Sequence, residues 1–272
     1  MRSRERYAVA TAAPGPYAGF TSRWTTVDGV PLHARCGPAD RPGPPVVLVH
    51  GLAVSHRYLM PLATLLARRH PVAAVDLPGF GLSGDPGAAL GTRALADALG
   101  GWLRATGSGP AVLLGNSYGC QVIVDLVVRE PAVAVALVLA GPTVDPAARS
   151  SVAQALRWLR DVRHEDLRQT GVLARDVRDA GPRRVLATLR HAVADRIEAK
   201  LPAVAVPTLV TRGGAEPIVP ERWARQATEL LPRGELAVLP GAPHNANYSA
   251  ADALATVTET FLDRALRPSG PG

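Results

Sequence analysis

The chain has 272 residues, 47% hydrophobic and 19% charged, which is apolar enough to bury a large core and excludes a disordered chain or a coiled coil. That length suits one α/β domain carrying an insertion and does not require two independent domains. The formal charge of +7 raises nucleic acid as a partner, but Lys200 is the single lysine among 30 basic residues, the arginines are scattered, and aromatic residues are only 4%, so neither a basic stripe nor a base-stacking platform is legible.

Cys36 and Cys120 are too few for a disulfide framework and are not spaced as metal ligands, so a reducing, cytoplasmic setting is expected. Met1 to Arg6 is basic like the start of a signal peptide. The apolar run that follows is short, contains Thr11 and meets Pro14 and Pro16, so residues 1–20 read as a loose leader. No stretch reaches the roughly 18 uninterrupted apolar residues of a membrane helix, and membrane insertion is not expected.

In chain order, 23–27 and 31–36 flank Asp28-Gly29, a turn pair that favours a hairpin of antiparallel edge strands. Short runs of Val, Leu and Ala then recur at 46–49, 72–75, 111–114, 136–140, 208–211 and 236–239. Continuous apolar runs of that length are typical of strands covered on both faces of a parallel sheet. Helical patterns fall between and after them at 56–69, 92–105, 119–129, 221–231 and 250–266. The alternation predicts a mostly parallel, doubly wound sheet with right-handed crossovers. The interval between Ala140 and Pro207 breaks the rhythm with helical spacing, Val152, Leu156 and Leu159, then Val185, Leu189 and Val193. It is too long for a plain connection. The expected division is a core of residues 1–140 and 206–272, interrupted by a helical cap at 141–205.

The strongest chemical signal is Gly115-Asn116-Ser117-Tyr118-Gly119, lying directly between a strand pattern and a helix pattern. A nucleophilic serine must stand on a sharp turn, and small residues two places to either side let strand and helix approach closely. His50-Gly51-Leu52 follows another strand pattern, at the sheet edge where open α/β sheets bind ligands. A glycine-bearing loop there can aim backbone N–H groups at a developing oxyanion, and Leu52 and Tyr118 are the expected donors. His50 is read as shaping that loop. His244, in Pro240-Gly241-Ala242-Pro243-His244 after the last strand pattern, is the expected general base. His33, His70, His164 and His191 are expected to be surface or packing residues, whereas His56, with Gly51 and Asn116, is expected to line the substrate site.

Taken in order, His50-Gly51, the segment Asp76 to Ser83, the Ser117 turn, the segment Gly213 to Pro220 and the segment Pro240 to His244 resemble the α/β-hydrolase superfamily across residues 23–266. The resemblance implies that fold and an acid after the strand ending near Arg212. Glu216 stands there, and Asp and Glu both serve in such triads. Asp145, beyond the preceding strand, is the alternative acid; Asp76 is expected to fix a turn. A serine at the elbow argues against haloalkane dehalogenases and epoxide hydrolases, which resemble the chain but use aspartate.

The implied chemistry is hydrolysis of a carboxylic ester, thioester or lactone of a small to medium, largely apolar molecule through an acyl-enzyme, with no cofactor and no metal. One alternative is a carbon–carbon bond hydrolase of a dienoic keto acid, favoured by Asn116 but not by Asn245, where that family often has tryptophan. Others are a cofactor-free perhydrolase, lyase or cyclase, or a non-catalytic binding protein. The expected partner is a small-molecule substrate. The cap arginines are expected mainly to coat solvated helix faces, and one turned inward would suit a substrate carboxylate.

Overall fold

The computed structural model describes residue 17 and residues 19–267, so the leader expected at 1–20 lies almost wholly outside the described residues. Eight strands form one sheet: β1 (Thr21–Val27), β2 (Val30–Cys36), β3 (Val46–Val49), β4 (Val72–Val75), β5 (Ala111–Asn116), β6 (Ala134–Ala140), β7 (Thr208–Gly213) and β8 (Gly234–Leu239). Their order is β1-β2-β4-β3-β5-β6-β7-β8. The β1–β2 and β2–β4 pairs are antiparallel and every other pair is parallel. Asp28 and Gly29 both adopt positive φ at the β1–β2 turn, as a tight hairpin requires.

Side chains of the central strands alternate between two apolar layers, as the two-residue strand repeat dictates. Val47, Val49 and Leu113 face a layer completed by α2 (Thr92–Thr106), α3 (Tyr118–Arg129) and α8 (Glu221–Glu229). Val46, Leu48, Val112 and Leu114 face one completed by α1 (His56–Leu66) and α10 (Ala251–Ala265). Covering on both faces is why these strands read as unbroken apolar runs. At the outer edge β8 departs from that pattern, and Val238 is 39% exposed.

Between β6 and β7 the chain forms α4 (Ser151–Asp161), α5 (Thr170–Ala180), α6 (Pro182–Ala194) and α7 (Ile197–Lys200), with two 3₁₀ turns between α4 and α5 and one at each end of the series. Ile197, Leu201 and Val204 are fully buried in the α3-side layer, so the end of this interval packs as core. Helix α4 is inverted. Val152, Leu156 and Leu159, whose spacing predicts a helix, are 70%, 50% and 61% exposed, whereas Gln154 and Asp161 are buried. Polar contacts hold its inner face: Arg157 donates to the carbonyl of Ile218 and to Asp145. After β8 the short α9 (Ala246–Ser249) precedes α10. No helix among the described residues is long and apolar enough to cross a membrane.

Candidate active site

The loops leaving β3, β5, β7 and β8 at their carboxyl ends carry Gly51 and Leu52, Ser117, Glu216 and His244. Ser117 sits between β5 and α3 with φ 55° and ψ −119°, a conformation unfavourable for a residue with a Cβ. Two close approaches create it. A Cβ on Gly119 would lie 2.4 Å from the Val49 carbonyl oxygen, and one on Gly115 would lie 2.6 Å from the Gly119 backbone. The glycines flanking the serine are therefore steric requirements of the turn, and the Ser117 amide is pinned by donation to Ala140 at 2.9 Å.

His244 is buried, and its Nδ1 lies 3.0 Å from Glu216 Oε1. That carboxylate is held in turn by the amides of Gly213, at 2.8 Å to Oε2, and Val219, at 3.1 Å to Oε1. With Nδ1 occupied, Nε2 is the free nitrogen of an imidazole that lines the same cavity as Ser117. Burial opposes a charge on this ring, but the carboxylates around it, Glu216 first and then Asp161 and Glu165, together raise its pKa. The ring lies over Gly141, where an added Cβ would come within 2.9 Å of it.

Asp145, the alternative acid, is elsewhere. It binds Arg157 and Arg222 and caps a turn through the Ala147 amide. Desolvation is offset by those arginines, which lower its pKa. Its charge is consumed in joining α4 and α8, and it makes no contact with His244.

Beside Ser117, the amides of Leu52 and Tyr118 donate to no acceptor among the described residues, and both residues line the cavity. His50 shapes their loop. Its Nδ1 donates to the Gly51 carbonyl at 2.7 Å and its Nε2 accepts from the Leu77 amide at 3.0 Å, and burial lowers its pKa. Gly51 and Asn116 line the cavity, but their polar groups serve the scaffold. The Gly51 amide donates to Tyr58 Oη at 2.8 Å, Tyr58 Oη donates to Asn116 Oδ1 at 2.7 Å, and Asn116 Nδ2 donates to the carbonyl of His244 at 3.4 Å. One buried tyrosine thus ties three loops together. Nothing in its local sequence signals this, because Tyr58 sits in an ordinary apolar helix stripe.

His56 is a correction to the sequence reading. Its Nδ1 lies 2.8 Å from Asp76 Oδ2 and its amide 2.7 Å from Oδ1, and it is absent from the cavity wall. The same carboxylate takes His33 and the Leu82 amide. Burial alone would raise the Asp76 pKa; pairing with His56 and His33 instead holds it well below the usual carboxylate range. His56 is thereby committed to a structural knot between β2, α1 and the turn after β4.

The cavity has a volume of about 530 Å³, within the range of small-molecule sites. Leu52, Val144, Trp158, Leu173, Val185 and Leu189 supply much of an apolar wall. No arginine, lysine, aspartate or glutamate lines it among the described residues. Among the cap arginines that turn inward, Arg157 points at Asp145 and Arg184 at Asp85 and the Ala88 carbonyl, not into this space.

Residues 46–257 match the model of the alpha/beta hydrolase family, and the chain belongs to that family. It is 24% identical over 269 residues to 2-(acetamidomethylene)succinate hydrolase of Mesorhizobium japonicum, covering 90% of this chain and 96% of that one. It is 30% identical over 255 residues to polyketide synthase ThaQ of Burkholderia thailandensis, covering 85% of this chain but spanning only 12% of that protein's length. Among solved structures, an esterase from Thermogutta terrifontis superposes with a TM-score of 0.72 at 22% identity, covering 91% and 99% of the two chains.

Proposed function

We propose that the protein is a serine hydrolase that cleaves the ester, thioester or lactone bond of a neutral, largely apolar acyl compound. The observation that supports this most directly is the convergence on one apolar cavity wall of Ser117, the free edge of a Glu216-held His244, and two unengaged amides.

In this reading Ser117 Oγ attacks the carbonyl carbon while His244 Nε2 takes the hydroxyl proton. The Leu52 and Tyr118 amides stabilise the tetrahedral oxyanion, and Glu216 holds Nδ1–H and the positive charge that forms on the ring. The leaving oxygen or sulfur departs with the proton from Nε2. A water molecule, deprotonated by the same nitrogen, then releases the acid and restores Ser117. Labelling with a fluorophosphonate probe tests this: the expected result is one adduct, on Ser117, and a folded protein that takes up no probe would overturn it.

The uncharged wall separates this reading from hydrolysis of a dicarboxylate or a dienoic keto acid, either of which would leave a carboxylate in an apolar cavity without a partner. An unsubstituted acyl ester is expected to exceed the matching ester with a terminal carboxylate by at least about tenfold in kcat/KM, one uncompensated polar contact being worth 1–3 kcal/mol. Equal kcat/KM values would show that a cation reaches the cavity after all.

The pH profile follows from His244. Only the neutral ring accepts a proton, and its pKa lies above the ordinary 6.5. The rising limb of kcat/KM is therefore expected above pH 6.5, and Glu216→Gln, by removing the charge that raises it, is expected to shift the residual activity's limb toward lower pH. Stopped-flow pH-rate profiles check both.

A further inference from the structure

The segment that closes α4 and leads to α5 grips the loop bearing His244 through carboxylates. Asp161 is 2% exposed, and its Oδ1 lies 3.3 Å from the His244 backbone amide. Four residues later, Glu165 Oε1 accepts the very next amide, that of Asn245, at 2.7 Å. Glu165 Oε2 accepts from Gln169 Nε2 at 2.6 Å and from Ser249 Oγ at 2.8 Å. Gln169 Oε1 accepts from Asn245 Nδ2 at 3.2 Å. The two amides bracketing His244 thus terminate on acids supplied by the inserted helical segment.

Two carboxylates brought together, one buried and one half-buried, disfavour carrying both charges, so protonation of one of them relieves the pair. Asp161 and Glu165 lie four residues apart and take the consecutive amides of His244 and Asn245, which brings the two carboxylates to the same stretch of loop. Glu165 already accepts from three protein donors, whereas Asp161 accepts only from one amide, so Asp161 is the carboxylate with room to carry the proton. The charged groups facing Asp161 are Glu165 on its own segment, His244 after β8 and Glu216 after β7. Arg157, one turn earlier, is spent on Asp145 and gives Asp161 no countercharge.

Building on the serine-hydrolase reading, we propose that Asp161 and Glu165 are positioning residues which, as a pair carrying one proton, lock the His244 loop, so that the base is fully assembled only while the inserted segment is seated. Burial, then the nearby Glu165 and Glu216, push the Asp161 pKa up to about 7 despite the opposing influence of His244. Its folded-state value is raised, so the stabilisation it gives the seated segment is complete in acid and disappears as pH rises through about 7. Loss of that proton then leaves both carboxylates charged, loosens the loop and produces an alkaline decline in kcat.

The test is steady-state kinetics across pH on a neutral activated ester, with Asp161→Ala and Asp161→Asn. The alanine variant loses the lock, and kcat is expected to fall on the order of tenfold to a hundredfold, the scale of a slightly misplaced catalytic group, with KM changed by no more than about twofold. The asparagine amide accepts from His244 and, like the protonated acid, carries no charge. That variant is expected to retain kcat at neutral pH within about threefold and to lose the alkaline decline. Wild-type kcat in the alanine variant, or an alkaline decline that persists in the asparagine variant, overturns the proposal; the second criterion holds even if Asp161→Ala fails to fold.

A readout that needs no turnover separates this proposal from the reading beneath it. In Ser117→Ala protein, the His244 Cε1–H resonance is expected to report an additional titration near neutral pH that Asp161→Asn abolishes. Identical titrations in the two proteins would sink the positioning role. Absence of fluorophosphonate labelling in wild-type protein would sink the hydrolase reading while leaving the resonance test intact.

Discussion

Ser117→Ala is expected to reduce hydrolysis of an activated ester by about 10⁴-fold to 10⁶-fold, the range found when the nucleophile of a cooperating triad is removed. The size follows from the single role of Oγ. Without it no acyl-enzyme forms, and only cavity binding and the Leu52 and Tyr118 amides remain to accelerate attack by water. The fold should tolerate the change, since alanine keeps the Cβ and the hydroxyl makes no hydrogen bond within the described protein. Thermal unfolding beside turnover checks both halves. Residual activity within tenfold of wild type would mean that the chemistry does not pass through this serine.

Exchanging the acids one at a time gives the second large contrast. Glu216→Gln is expected to lower kcat by about 10⁴-fold, as when a triad acid becomes an amide and the imidazole loses its productive tautomer. Both oxygens of Glu216 accept: Oε1 from His244 and Val219, Oε2 from Gly213. An amide nitrogen on either side therefore faces a donor. Asp145→Asn should leave turnover near wild type, because Asp145 serves Arg157 and Arg222. Its effect is expected in stability, about 1–2 kcal/mol or a few degrees in Tm for a chain of this size. If the Asp145 variant loses turnover and the Glu216 variant does not, the assignment of the acid is reversed.

Much of this architecture is written locally. Apolar runs such as 46–49 and 111–114 mark buried strands because both faces of each strand are covered by helices. Likewise Gly115 and Gly119 mark the turn at Ser117 because a larger residue would strike backbone on each side. His244 is legible from its position just beyond a strand pattern. The misreadings share one cause, which is that a polar residue's role depends on a partner distant in sequence. His56 follows the Gly51 loop closely, yet Asp76 captures it. The apolar stripe of α4 predicts the helix correctly but not its orientation, because Asp161 and Arg157 find buried partners on the opposite face.

The sequence alone determines the alternation of strands and helices, the interruption between β6 and β7, and the candidate serine, histidine and acids, since each rests on short-range periodicity or steric need. Tertiary structure alone decides between Glu216 and Asp145 as the partner of His244, clears the cavity of charged side chains, and brings Tyr58, Asp161 and Glu165 to the loops around the site. Those outcomes turn on distances of about 3 Å, hydrogen-bond length, between groups that can lie more than 80 positions apart in the chain. No local pattern encodes such distances.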